Sequence, residues 1–339
     1  MDTPAKRDRL TRFHEENPRD VDAAADLMRD LIRINLRDEA LKILRNMRDE
    51  GGAELENSVL EKFPELEGFK LKMGIDYRES VDILREFGVL KEGETSYESD
   101  VEGLDVDENG NPQRFEMPTM AEVMSWLTEK DLALYKSMEK EGLEPKLQLT
   151  PIGRSIRSLG SAIDQHLTME GQEETYIWNG INDAELIYEP EGYDASNPNQ
   201  LVKIGGMSNK EWVLKNKGWL VEIVATKQHL EADPAIQKDP QGQVRTAAQQ
   251  TALYTEKLKQ EGKRGLTFES YLAAQMRALK NQKPMESDFW TVPIDSALAD
   301  NGLVSYSNWY GAQVRLGRGV ADNQNHRLRV RPSGRVNPS

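Results

Sequence analysis

The feature that most constrains the fold of this sequence is a change in hydrophobic periodicity near residue 170. Before that point, apolar residues recur every three or four positions, which is the spacing of amphipathic helices. After it, short runs rich in β-branched and aromatic residues predict strands, such as WLVEIVAT at 219–226. We therefore predict an α+β fold with a helical amino-terminal half and a mixed carboxy-terminal domain.

The same patterns predict five parts along the chain. These are a helical module at 1–90, an acidic linker with a β-hairpin at 91–117, a helical segment at 118–170, a connector with short strands at 171–216, and a mixed domain at 217–336. In the first part, apolar faces predict a helical hairpin whose second helix is ended by Gly51 and Gly52. In the last, the predicted order is strand, helix, helix, then several strands.

The segment DVDENGNPQRFE, residues 105–116, supports two interpretations. It matches the template of a calcium-binding loop, whose ligands would be Asp105, Asp107, Asn109 and Glu116. Against this, Pro112 and Pro118 do not suit the helix-loop-helix that such a loop needs.

The alternative is a β-hairpin that closes a solvated acidic linker. A turn at Asn109-Gly110 would pair Leu104 with Phe115 and Asp105 with Arg114. One side of the hairpin would then be apolar and the other would carry an ion pair. We favour the hairpin and keep calcium as the alternative.

Composition excludes several classes of function. The chain of 339 residues has no cysteine, which excludes disulfides, thiolate metal sites and a cysteine nucleophile. A net charge of -14 argues against general nucleic-acid binding. Without an apolar leader or a run long enough for a membrane span, we expect a cytoplasmic protein. No cofactor motif is present, so we expect no cofactor.

The carboxy-terminal end carries the strongest signal for binding. From residue 303 onward there are six Arg and one acid, so this end is positive while the rest of the chain is strongly negative. Tyr, Trp, Asn and Arg on short strands are typical of adaptable binding surfaces. The predicted ligand-binding residues are Tyr306, Asn308, Trp309, Tyr310, Arg315, Asn323 and His326. The competing interpretation makes Trp309, Val314 and Leu316 core residues and leaves the arginines solvated.

Two resemblances add to this interpretation. A Trp, a V-x-L strand, a polar loop and the closing run RLRVRP resemble the end of C-type-lectin-like domains. The group concerned includes formylglycine-generating enzymes and the variable proteins of diversity-generating retroelements. This resemblance implies a lectin-like fold for the last third of the chain and raises a diversified surface as one interpretation. The segment 117–136, MPTMAEVMSWLTEKDLALYK, is also similar to a segment shared by uncharacterised bacterial proteins.

Two hypotheses about function follow. The first is a non-enzymatic protein that binds a protein or small ligand at its carboxy-terminal face, with the helical module docking a protein partner. The alternative is a hydrolase or transferase that uses carboxylates and histidines, for which Asp164, His166, Asp183 and His229 would have to converge in space. Because no catalytic motif is visible, we favour binding.

Overall fold

The computed structural model describes residues 19–33, 36–104, 106–107, 109–169, 185–281, 284–285, 290–310 and 313–337. Helices dominate the amino-terminal half and short strands the remainder, so the predicted α+β class and helical amino-terminal half are confirmed. The chain divides into two compact units, Met1–Arg78 with Leu127–Leu132, and Glu79–Trp126 with Ala133–Ser339. These units do not follow the boundaries of the five predicted parts.

Two packed helices, α1 (Val21–Arg33) and α2 (Arg37–Leu60), belong to the first unit, and α3 (Glu65–Glu86) follows them. The faces of α1 and α2 pack together as the predicted helical hairpin requires, with Leu27, Leu31, Leu41 and Leu44 buried. The second helix is interrupted at the predicted glycines, and a further helical stretch follows them. Gly52 has non-helical backbone angles (φ 69°, ψ -167°) that break α2, and the helix then resumes as far as Leu60. Glycine adopts this φ readily because it has no Cβ.

The segment 91–117 contains two short paired strands, β1 (Ser96–Glu98) and β2 (Arg114–Glu116). Phe115 pairs with Tyr97 and not with Leu104, so the predicted hairpin register is wrong. Arg114 likewise forms its ion pair with Glu98, at 3.0 Å. The expected partner, Asp105, lies outside the described residues.

Long-range packing of Tyr97 explains this register. Its buried hydroxyl accepts a hydrogen bond from the Gly153 N–H at 2.9 Å and donates one to the carbonyl of Gly218. Its ring also packs edge-on against Trp219, with ring centroids 5.0 Å apart. A local turn pattern carries no information about these contacts, which bury part of the predicted solvated linker inside the second unit.

Asp107 organises the turn that the sequence assigned to Asn109-Gly110. Its Oδ1 accepts the backbone N–H groups of Asn109 at 2.8 Å and Asn111 at 2.9 Å. Val106 bridges to Pro112 and is half exposed, so the loop is wider than a two-residue turn. Asp side chains commonly close turns in this way. The N–H of Asn111, and then that of Asn109, hold the pKa of Asp107 below its usual value because they stabilise the ionised carboxylate.

The central part of the chain, where the sequence predicts a helical segment, consists of helices around one strand. Its elements are α4 (Met120–Trp126), α5 (Glu129–Lys140), β3 (Pro145–Pro151) and α6 (Ile156–Met169). The sequence pattern Thr119-x-x-Glu122 forms a capping box at the start of α4: Oε2 of Glu122 accepts the Thr119 N–H at 2.7 Å, and Oγ1 of Thr119 accepts the Glu122 N–H at 3.3 Å.

Strands and helices then alternate in the remainder of the second unit. The connecting part contains β4 (Leu186–Tyr188), β5 (Gly192–Asp194), β6 (Val202–Ile204), β7 (Met207–Ser208) and α7 (Asn209–Lys215). It is followed by β8 (Trp219–Ala225), α8 (Pro234–Gln237), α9 (Ala247–Gln260) and α10 (Phe268–Lys280). The last elements are β9 (Trp290–Thr291), β10 (Ser296–Leu298), β11 (Leu303–Tyr310), β12 (Gln313–Val320), β13 (Leu328–Arg329) and β14 (Ser333–Arg335). The order from β8 onward is therefore the predicted strand, helix, helix and strands, with the short helix α8 added before α9. Residues 171–184 of the predicted connector lie outside the described residues.

One antiparallel sheet joins the centre of the chain to its end. Its order is β14–β8–β3, and every residue of β8 is buried. A strand covered on both faces needs a nearly continuous apolar sequence, which explains the run WLVEIVA. Gly334 pairs with Ile223, so the first and last strands of the 217–336 region are neighbours.

A second sheet, in the order β12–β11–β9–β13, packs its buried residues together with those of α9. The shared core includes Ala248, Leu258, Val292, Val304 and Leu328. Ser307, Val314 and Leu316 are also buried, so the interpretation of Val314 and Leu316 as core residues is confirmed. Both faces of the β11–β12 hairpin therefore carry buried residues, Val304 on the face of Tyr306 and Ser307, Val314 and Leu316 on the other, and the face of Tyr306 reaches the surface only in part.

Candidate functional site

The β11–β12 hairpin carries three of the predicted ligand-binding residues on one face. Tyr306 and Asn308 are two positions apart on β11 and therefore point to the same side. The antiparallel register places Arg315 opposite Asn308 and Gly317 opposite Tyr306. Arg315 is exposed and Tyr306 is half-buried, so this side of the hairpin reaches the surface.

Trp290 joins this face, although sequence reasoning does not single it out. β9 pairs antiparallel with β11 through Thr291 and Ser307, and one step along this register Trp290 faces Asn308. The rings of Trp290 and Tyr306 are stacked, with centroids 4.2 Å apart and planes inclined by 14°. The available signal was the strand-like run WTVP, but a sequence pattern does not say which strand it will pair with.

Asn308 gives this face an unused hydrogen-bond acceptor. Its side chain is buried, at 8% exposure, and its Oδ1 has no hydrogen-bond partner among the described residues. A buried acceptor without a donor is costly, and native proteins keep few of them. We call Trp290, Tyr306, Asn308 and Arg315 together the binding face.

The other predicted site residues are not brought onto the binding face. Asn323 is exposed in the turn that follows β12, at the end of the hairpin opposite its 310–313 connection. His326 is also exposed, and its backbone carbonyl accepts a hydrogen bond from the side chain of Gln237. The structure describes the strand backbone of Trp309 and Tyr310, and their side chains lie outside the described part.

Two of the three arginines of the closing run RLRVRP are structural, and the third, Arg327, is exposed. The interpretation that left them solvated is wrong for Arg329 and Arg331, which are buried. Arg331 donates to the carbonyls of Ala225, Lys227 and Gln228 at 2.7–3.1 Å. A guanidinium group can satisfy several carbonyls at once because its donors form a rigid planar fork.

A buried ionic network that the sequence did not predict lies elsewhere in the second unit. Arg335 is almost fully buried, ion-paired with Glu189, and donates to Oδ2 of Asp295 at 3.0 Å. Arg264 adds a hydrogen bond to Glu189 at 2.8 Å. Burial raises the pKa of Asp295 to about 6, an effect that the charge of Arg264 opposes. Such groups are hard to identify from sequence, because no local pattern distinguishes the few acidic residues that the fold buries among the 58 in the chain.

A cleft of about 700 Å³ opens beside this network. Its wall includes Glu189 and Asp295, and its rim carries Lys215, Lys259 and Arg264. Lys215 is ion-paired with Glu189 at 2.5 Å, so the acids of the wall are matched by cations. This arrangement is typical of a structural network of ion pairs.

The residues of the enzymatic alternative lie in different settings. The ring of His166 stacks on Phe87, with centroids 4.0 Å apart, and His229 is exposed after β8. Asp164 lies on α6, and Asp183 is outside the described residues. Within the described ranges, no group of three or more His, Asp or Glu side chains could hold a metal ion.

A shallow groove lies in the first unit, between the end of α1 and the starts of α2 and α3. It has a volume of about 370 Å³ and is mostly apolar, with Ile32, Leu66 and Leu71 in its wall and Arg37 and Lys70 beside them.

None of the described helices is both long enough and apolar enough to cross a bilayer. Comparisons of the chain with protein-family models, with characterised proteins and with solved structures give no match.

Proposed function

We propose that this chain is a non-enzymatic binding protein whose ligand contacts the binding face of Trp290, Tyr306, Asn308 and Arg315. The observation that carries the proposal is the stacked, half-buried pair Trp290–Tyr306 beside the unpartnered Oδ1 of Asn308. Rigid aromatic area beside a polar group that lacks a partner is the usual composition of an energetically important contact.

The proposal includes a lectin-like carboxy-terminal domain. The order of strand, helices and strands from β8 to β14, and the pairing of its first and last strands, support that resemblance. The same proposal includes diversification of the binding face, as in the variable proteins of diversity-generating retroelements. A second genomic copy of this segment, differing mainly at adenines, would support diversification, and its absence would remove that element.

We also propose that the helical module binds a protein partner. The apolar groove at Ile32, Leu66 and Leu71 is bordered by Arg37, Glu67 and Lys70, which suits an amphipathic helical segment. This contact is separate from the binding face.

The binding face is tested with two ligand collections, a displayed peptide library and a glycan array. Each is probed with the wild-type protein and with the Trp290→Ala/Tyr306→Ala double variant. We expect some of these ligands to bind the wild-type protein specifically. The double variant should bind the same ligands at least about tenfold more weakly. Melting temperatures of both proteins check that the variant is folded. Ligands that bind both proteins equally, or no specific ligand in either collection, would contradict the proposal.

A further inference from the structure

We propose that Asn109 is a site of spontaneous deamidation, in which its side-chain amide is converted to a carboxylate. The chain contains three Asn-Gly pairs, at 109–110, 179–180 and 301–302, and the second of them lies outside the described residues. Asn-Gly pairs favour this reaction because glycine has no Cβ to shield the attacking nitrogen. The fold exposes the pair at 109–110 and restrains the pair at 301–302, so it selects Asn109.

The reaction needs only the chain itself and water. The backbone nitrogen of Gly110 attacks Cγ of Asn109, and an N–Cγ bond forms as the Cγ–Nδ2 bond breaks. The proton of the Gly110 N–H leaves with the amide group as ammonia. Water then opens the resulting cyclic imide at either carbonyl, which gives aspartate or isoaspartate at this position. The attack is efficient because both reacting groups are held close together within one pair of residues.

The loop at Asn109 leaves this attack unobstructed. Asn109 and Gly110 are both exposed, and a Cβ at Gly110 would meet no described atom within 4 Å beyond its chain neighbours. The Gly110 N–H donates to the backbone carbonyl of Asp107 at 3.0 Å. This bond joins two neutral groups at the surface, where water replaces it at little cost. The nitrogen of Gly110 is therefore readily released to attack the side chain of Asn109.

The pair Asn301–Gly302 is restrained at three points. The backbone carbonyl of Asn301 accepts the Leu201 N–H at 2.7 Å, and its Oδ1 accepts a hydrogen bond from Nζ of Lys203 at 3.2 Å. The Gly302 N–H donates to Oδ1 of the Asp300 carboxylate at 2.7 Å. Bonds to an ionised acceptor are about twice as strong as bonds between neutral groups, and this one must break before the nitrogen can attack. The carboxylate also makes the N–H harder to deprotonate.

A second asparagine in the same loop provides an internal control. Asn111 is exposed like Asn109, but the residue after it is Pro112. The proline nitrogen carries no hydrogen, so it cannot close the imide ring in this way. Of these two exposed asparagines, Asn109 is therefore the one that reacts.

The modification changes the turn in which it occurs. Oδ1 of Asp107 accepts the backbone N–H groups of Asn109 at 2.8 Å and Asn111 at 2.9 Å. A carboxylate at position 109 adds a like charge close to that of Asp107. Isoaspartate also lengthens the backbone between the two donors by one methylene group. Both products should therefore weaken the turn.

The test is mass spectrometry of the folded full-length protein after incubation in neutral buffer made with H₂¹⁸O. The heavy oxygen enters when water opens the imide, so it marks products that form during the incubation and not during digestion in ordinary water. The tryptic peptide 92–114 contains Asn109 and Asn111, and the peptide 281–315 contains Asn301. Fragmentation of each peptide locates the modified residue.

In the folded protein, Asn109 should be modified at least about tenfold faster than Asn301, because the reaction at Asn301 must break a charge-assisted hydrogen bond. Asn111 should remain unmodified. In guanidinium chloride the two Asn-Gly pairs should react at similar rates, because both then lack their native contacts. Gly110→Ala places a Cβ beside the attacking nitrogen and should slow the reaction at Asn109 several-fold without changing the rate at Asn301. The melting temperature shows whether this variant is folded.

Four results would overturn the proposal. Similar rates at Asn109 and Asn301 in the folded protein would show that the fold does not select between them. A difference that persists in guanidinium chloride would assign the selection to local sequence. An unchanged rate at Asn109 in Gly110→Ala, or modification of Asn111 at a comparable rate, would exclude attack by the Gly110 nitrogen as the route.

Discussion

Glu222 of β8 lies directly opposite Gln148 of β3, in the buried centre of an antiparallel sheet. Oε2 of Glu222 accepts the Ser270 hydroxyl, while Oε1 of Glu222 and Oε1 of Gln148 both lack a hydrogen-bond partner within the described part of the chain. Burial raises the pKa of Glu222 to about 8. Because the two side chains start from paired positions, we expect a protonated Glu222 to donate its O–H to the amide oxygen of Gln148 and so to satisfy both oxygens.

Replacing Glu222 with Gln should therefore flatten the dependence of stability on pH. The folded-state pKa of about 8 lies above the ordinary value of 4.5, so the folded state holds the proton more tightly than the unfolded chain. Stability falls as the pH rises from about 4.5 to about 8, by up to roughly 1.4 kcal/mol per pH unit. The amide of Glu222→Gln donates at every pH, so the variant should be the more stable protein at pH 8. Urea unfolding at several pH values measures this, with the exposed Glu98→Gln as control, and identical pH profiles of variant and wild type would contradict it.

Gly218→Ala should destabilise the protein through backbone strain and through overpacking, and a matched variant separates these two effects. Gly218 has a left-handed φ of +76°, and a Cβ there would lie 2.2 Å from Cγ of Phe115. Gly242 has a φ of +83° and no atom within 4 Å of its would-be Cβ, so Gly242→Ala measures the backbone cost alone. We expect losses of about 1 kcal/mol for Gly242→Ala and about 3 kcal/mol for Gly218→Ala, from backbone strain and overpacking. Chemical denaturation gives both values, and equal losses would show that Phe115 makes room without cost.

Arg331 should be needed for stability because it satisfies carbonyls that would otherwise be buried without donors. Arg331→Met removes its bonds to Ala225, Lys227 and Gln228 while keeping much of its length. We expect a loss of about 3 kcal/mol or more, and a smaller loss for Arg331→Lys, which keeps donors without the planar fork. The exposed Arg327→Met should change stability by less than about 0.5 kcal/mol. Similar losses for Arg331→Met and Arg327→Met in thermal or urea unfolding would refute this role.

The turn at Asp107 should form without calcium. Its carboxylate already accepts two backbone N–H groups, so Asp107→Ala should remove these bonds and lower stability to the same small extent whether calcium is present or absent. Calorimetric titration of the wild type with calcium should give no saturable heat. Micromolar binding that Asp107→Ala abolishes would show instead that the loop is a metal site.

Local patterns were enough to predict much of the architecture. The helix starting after Thr119, the burial of Leu27 and Leu31, and the order of elements from β8 onward all depend on residues close in sequence, whose periodicity and capping the chain displays directly. The binding face was only partly predictable. Tyr306, Asn308 and Arg315 follow from residue types on neighbouring strands, whereas Trp290 comes from another strand.

The sequence by itself determined the α+β class, the helical amino-terminal half and the absence of cysteine chemistry, because composition and periodicity are local properties. Only the tertiary structure decided that Phe115 pairs with Tyr97, that Trp290 stacks on Tyr306, and that Arg331 is buried while other arginines are exposed. Strand register and burial depend on which distant segments meet. The contacts that stabilise one register and one set of buried residues join positions tens to hundreds of residues apart. A local sequence pattern does not contain these contacts.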